Sequence, residues 1–205
     1  FVFAALLLCR TPIAAADRVE DMISPIGSPT LFEDPRANTE ARLIYIYHEI
    51  DNDFITAGGH AQIWALQLRY AVNDRFAIIA TKDGIVNLNL DENVPDGSGL
   101  ANLELGFKYA AINDTRAGTV LSPMFRVEVP TGEDEIFQGE GDGYLHPSIS
   151  FAQALGDNVN FMAATGLRIA LDDQESSMWD VDLHLDMKSG PLYPVLELAI
   201  NHVHD

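Results

Sequence analysis

The chain has 205 residues and carries 12 Lys and Arg against 31 Asp and Glu, a formal charge of −19 at pH 7. That length demands no second domain, and so acidic a balance excludes a nucleic-acid-binding face, because phosphate contacts need clustered basic residues. Its single cysteine excludes a disulfide framework within the chain.

Residues 1–16 read as a partial signal peptide. Phe1 to Cys9 is an apolar run, and Ala14-Ala15-Ala16 precedes Asp17, which is the hydrophobic region and small-residue cleavage pattern of secretion. The other reading of the run is a buried strand. Arg10 and Pro12 stop it far short of the roughly 20 residues a transmembrane helix needs. Cys9 does not fit a lipoprotein signal, since Leu8 stands where a small residue is wanted. Cleavage after Ala16 leaves a chain without cysteine, which suits a Gram-negative envelope protein.

Residues 17–40 contain Pro25, Pro29 and Pro35 among Ser, Asp and Glu, with no period. They are expected to form an irregular periplasmic lead-in. From Arg42 onward the pattern becomes period 2, the mark of a strand with two different faces. It predicts about nine strands, over 42–51, 61–72, 75–90, 100–112, 117–130, 144–155, 158–171, 178–188 and 192–203. In the fourth, Leu103, Leu105, Phe107 and Tyr109 share one face, and Asn102, Glu104 and Lys108 the other. In the eighth, Trp179, Val181, Leu183, Leu185 and Met187 alternate with Asp180, Asp182, His184, Asp186 and Lys188. Such runs match the 9–11 residues that cross a bilayer when tilted, against 5–6 in ordinary globular strands.

The connections alternate in length. Those at 52–60, 91–99, 131–143 and 172–177 are long; those at 73–74, 113–116, 156–157 and 189–191 are short. Outer-membrane barrels have short periplasmic turns and longer extracellular loops, and a first strand running outward gives this order. Three long loops gather Asp91, Glu92, Asp96, Glu133, Asp134, Glu135, Glu140, Asp142, Asp172, Asp173 and Glu175 without Lys or Arg. They predict an acidic mouth that attracts cations and could take divalent cations as partners. Gly132 to Gly143 lacks an EF-hand spacing, and its simpler reading is a solvated loop. Trp64, Tyr70, Phe76, Tyr109, Tyr144, Phe161 and Trp179 fall toward strand ends, as interfacial girdles would.

The polar faces bring Arg69, Glu104, Lys108, Arg126, Glu128, His146, Arg168, Asp182, His184 and Glu197 toward one interior. These are the candidate lumen-lining residues, either as a packed polar core or as the walls of a conduit. His184 beside Asp182 and Asp186, or His202 with His204, has the spacing of a shared strand face. Zinc needs three or four converging ligands, so no metal or other cofactor is expected. His146, Ser148 and Ser150 also share a face, but no nucleophile elbow accompanies them, and no enzyme is expected. Gly139 to Gly143 is too acidic for a phosphate loop.

Two stretches carry a resemblance. One is Val129-Pro130-Thr131-Gly132-Glu133, then Gly139 to Gly143, then His146-Pro147-Ser148-Ile149-Ser150; the other is Asn158 to Leu167, ending Thr165-Gly166-Leu167. With the lead-in Leu31-Phe32-Glu33-Asp34-Pro35-Arg36, they resemble the outer-membrane proteins associated with the MetA pathway of phenol degradation, over about residues 17–205. The resemblance implies a barrel that passes small hydrophobic or aromatic compounds, and it brings no catalytic residues.

The expected fold is therefore all-β: an antiparallel up-and-down transmembrane β-barrel over 41–205, porin-like and seated in outer-membrane lipid. Nine is odd where single-chain bacterial barrels are even, so the barrel is expected to be truncated at the C-terminus. The expected function is a channel or facilitator for small solutes. One alternative is a closed structural or adhesive barrel with acidic extracellular loops. A soluble secreted barrel binding a ligand inside is the other, and there the apolar faces would point inward.

Overall fold

The computed structural model describes residues 2–7, 18–53, 55–92, 94–173 and 175–204, with backbone alone for 2–7. Its strands are β1 (Val2–Leu7), β2 (Glu40–Glu49), β3 (Gly59–Ala71), β4 (Phe76–Ala80), β5 (Gly84–Leu90), β6 (Gly97–Leu100) and β7 (Leu103–Tyr109). They continue with β8 (Ile112–Asp114), β9 (Thr119–Val129), β10 (Tyr144–Ala154), β11 (Val159–Ala170), β12 (Ser177–Met187) and β13 (Val195–His204). Among the described residues the only helical element is a 3-10 turn at Asp134–Ile136. The strands form one antiparallel sheet in the order β1-β2-β3-β4-β7-β9-β10-β11-β12-β13, with β5, β6 and β8 beside this path. The sheet curls into a half-barrel. All long connections consequently fall at one end and all short turns at the other.

Two predicted strands are broken, 75–90 between β4 and β5 and 100–112 both between β6 and β7 and between β7 and β8, and two of these breaks are β-bulges. Ala65 faces Gly84 and Leu68 faces Ala80, so two residues of β3 oppose Thr81, Lys82 and Asp83. Lys108 faces Met124 and Ile112 faces Leu121, so three residues after Lys108 oppose Ser122 and Pro123. A proline cannot donate to the ladder, and a bulge is where a sheet accommodates one.

Alternation sorts the side chains by face. Glu104 is 3% exposed and its neighbour Leu105 is 54% exposed. Leu66, Leu68, Phe107, Leu183 and Leu185 likewise stand out on the convex side, while Gln67, Arg69, Lys108, Arg126 and Asp182 are buried on the concave side. Tyr144 departs from the girdle expected of it. It lies on the concave face, buried, with the Arg168 guanidinium 3.3 Å from its ring centroid.

The lead-in is irregular as expected but does not stand apart from the wall. Residues 18–39 cross the concave face as a strap. At the short-turn end, Val19, Met22 and Phe32 pack on Ala110, Val120, Ala152, Ala154, Met162 and Ala164. Small alanines on the wall leave the depth that these larger strap side chains fill. At the other edge, β1 pairs with β2 from Val2↔Tyr47 to Leu7↔Arg42. Cys9 and the cleavage pattern at Ala14–Ala16 lie outside the described residues.

Candidate functional site

The strap has no regular structure, so its peptide groups need side-chain partners when buried. The wall supplies them. Gln67 Nε2 donates to the Pro29 carbonyl at 2.6 Å, Ser122 Oγ to Pro35 at 2.5 Å and Arg42 Nη1 to Pro25 at 2.7 Å. Arg126 donates to the carbonyls of Thr30 and Leu31. In the other sense, the Ile26 amide donates to Glu197 Oε1 at 2.9 Å and the Ile23 amide to Asp186 Oδ2 at 3.2 Å.

Charge locks the centre of the strap. Glu33 accepts from Arg69 Nε at 2.8 Å, Arg69 Nη2 at 2.6 Å and Lys108 Nζ at 2.7 Å. Burial alone would raise the Glu33 carboxyl, but the Arg69 and Lys108 charges outweigh it and hold it well below the ordinary carboxylate range. Asp34 is treated alike: burial opposes ionisation, and the Arg36 guanidinium, whose Nε lies 2.9 Å away, overcomes it.

All ten predicted lumen-lining residues lie on the concave face. Arg69 and Lys108 hold the strap. Glu104 pairs with Arg126 at 3.0 Å, and Arg126 Nη2 lies 3.1 Å from His146 Nε2. Glu128 meets Lys82 and, at 3.0 Å, Arg168. His184 bridges Glu197 at 2.6 Å and Asp186 at 3.2 Å. Asp182 is fully buried beside Asp180, and no protein donor reaches either carboxylate. The network also includes Glu33, Asp34, Gln67, Lys82, Asn102, Asp180 and Asp186. Asp180 and Asp186 were legible as members of the Asp182 face, whereas Glu33 and Asp34 sit in a stretch whose lack of period hid them.

The acidic loops join along one rim. The Glu92 amide donates to Thr56 at 2.9 Å and the Glu133 amide to Leu100 at 3.0 Å. The Asp142 amide donates to Asp172 Oδ2 at 2.7 Å, and Glu175 to Asp172 Oδ1 at 3.0 Å. Asp91, Asp96, Asp134, Glu135, Glu140 and Asp173 are exposed on the same loops, as are Glu92, Glu133 and Asp142. Below the rim, a cavity of about 360 Å³ is lined by His60, Gln62, Asn87, Leu88, Asn89, Asp96, Gly97 and Ser98.

His202 and His204 meet edge to face at 4.5 Å on β13, and His184 bonds Asp186 and not Asp182. Among the described residues, no group of three or more His, Cys, Asp or Glu side chains is placed to hold a metal ion. The hydroxyls of Ser148 and Ser150 are without partners beneath the strap. What the arrangement does chemically is hold a length of its own backbone in a polar interior. Searches against models of known families, curated proteins and solved structures found no match.

Proposed function

We propose that the chain forms the wall of an outer-membrane β-barrel whose polar interior is occupied by its own N-terminal strap, and that it passes small solutes once the strap yields. The carrying observation is the inverted distribution of side chains. Large apolar residues stand exposed on the convex face, while Arg, Lys, His, Asp and Glu are buried on the concave one. A soluble ligand-binding barrel has the opposite arrangement, and a lipid-embedded barrel has this one. Export by the N-terminal signal fits this reading, and removal of residues 1–16 would free the β2 edge that β1 occupies. Small hydrophobic or aromatic solutes are the class that the family resemblance suggests.

A second reading, the closed structural barrel, is favoured by the completeness of the strap's bonds to Gln67, Arg69, Lys108, Ser122 and Arg126. Planar-bilayer conductance separates the two. The plugged-channel reading predicts rare openings for the native chain and frequent ones after Glu33→Gln with Asp34→Asn, which removes the strap's charge lock. Silence from both proteins, each inserted and heat-modifiable on gels, would favour the closed barrel.

A further inference from the structure

Each carboxylate described above on the concave face is matched by a base, except two. Glu33 has Arg69 and Lys108, Asp34 has Arg36, Glu104 has Arg126, Glu128 has Lys82 and Arg168, and Asp186 and Glu197 share His184. Asp180 and Asp182 are both fully buried, and all four of their oxygens are without a hydrogen-bond donor. His146 Nε2 lies 3.6 Å from Asp180 Oδ1, beyond hydrogen-bond reach. The same ring lies between Arg126 Nη2, 3.1 Å from Nε2, and Glu104, 3.6 Å from Nδ1. Ser28 of the strap lies against Asp182, and the Asp180 and Asp182 carboxyls lie against each other. Two adjacent carboxylates buried side by side are among the costliest arrangements a protein interior can contain.

The wall opposite them is also unpaired. In register, Ser148, Gly166 and Asp180 form one cross-strand row, and Ser150, Ala164 and Asp182 the next. Both serine hydroxyls are buried without partners, and Ser150 is 1% exposed. Gly166 and Ala164 thus floor a slot between two hydroxyls and two carboxylates. A Cβ on Gly166 would come within 2.7 Å of His146 Nε2, 2.9 Å of Ser148 Cβ and 3.1 Å of Asp180 Oδ1. Only glycine fits there, because His146, Ser148 and Asp180 already close around the position. Two strand spacings separate the flanking backbones by roughly 10 Å.

We propose that this slot binds one hard cation of the calcium type, with Asp180 and Asp182 as its charged ligands and Ser148 and Ser150 completing the oxygen set. Water and the strap backbone above fill the remaining positions. The site follows from the fold of the wall and strap, so it stands or falls separately from membrane insertion.

The test uses the full chain folded in detergent, with calcium and terbium as probes. The acidic rim is expected to attract such ions as well, so the background carries Glu133→Gln, Asp134→Asn and Glu135→Gln. One site should persist there, and its terbium luminescence lifetimes in H2O and D2O should report few bound waters. Asp180→Asn with Asp182→Asn should abolish that site, and Ser150→Ala should weaken it several-fold. Since the double variant could fail to fold, calcium withdrawal from the unaltered chain supplies a second readout. Chelation should lower its melting temperature and open the strap to protease, reversibly. Loss of all ion binding with the rim substitutions, or retention of a poorly hydrated site in the Asn variants, would overturn the proposal. So would indifference of the melting temperature to calcium, which would mean that water or a shared proton satisfies the pair.

Discussion

Asn102 joins three parts of the molecule. Its Nδ2 donates to Glu128 Oε1 at 2.9 Å, and its Oδ1 accepts from the amides of Gly132 at 3.0 Å and Gly139 at 2.9 Å. An interior filled with water would tolerate change at this position, but Asn102 is buried and pins a long loop to the wall. Asn102→Ala strands two loop amides, at about 1–3 kcal/mol, and a denaturant titration should register it. Glu33 carries more. Removing its charge leaves Arg69 and Lys108 buried together without their carboxylate, so Glu33→Gln should cost about 3–5 kcal/mol. Its pH dependence has a definite sign. Because the folded carboxyl is held below the ordinary range, the pair's stabilisation is fully present above the unfolded value near 4.3. It declines only as pH falls below that value toward the depressed one. Hydrogen exchange at the Arg36 amide, which donates to Asp34 Oδ1 at 2.8 Å, should therefore stay slow at pH 5. Release of the strap between pH 6 and 5 would contradict this.

Among the elements, the wall was legible in the sequence and the strap was not. Period 2 located β2, β3, β9, β10, β11, β12 and β13 within a few residues, because one apolar and one polar face leave only one register that sorts them. The bulges at Thr81–Asp83 and after Lys108 leave the alternation on each side readable, so only the pairing exposes the extra residue. Tyr144 was placed with the girdle because an aromatic at a strand end fits either face, and the Arg168 stack chose the inner one. The strap's contacts are made through backbone carbonyls and two acids, which leave no periodic trace. Its burial predicts a protease pattern. Arg36 and Arg42 are buried, so trypsin should spare both bonds in the folded chain. Glu33→Gln with Asp34→Asn should make Arg36 a cleavage site. Equal cleavage in both proteins would mean that the strap does not hold to the wall in solution.

At the scale of the whole molecule, three bands follow one another along the wall: an acidic rim of long loops, a band with apolar residues outside and charges inside, and a short-turn end sealed by Val19 and Met22. That order is what a bilayer demands of a barrel, with lipid against the convex side and polarity confined within. The central claim is that lipid covers the convex face, and the chain's two tryptophans are placed to test it. Trp64 and Trp179 both stand on that face, 48% and 45% exposed. The most direct measurement is tryptophan quenching after reconstitution, comparing phospholipids brominated on their acyl chains with aqueous iodide. Lipid contact predicts strong quenching of both tryptophans by the brominated chains and little by iodide, with the single-tryptophan variants Trp64→Phe and Trp179→Phe each behaving alike. Strong quenching by iodide with none from the brominated lipid would place the convex face in water and contradict the account.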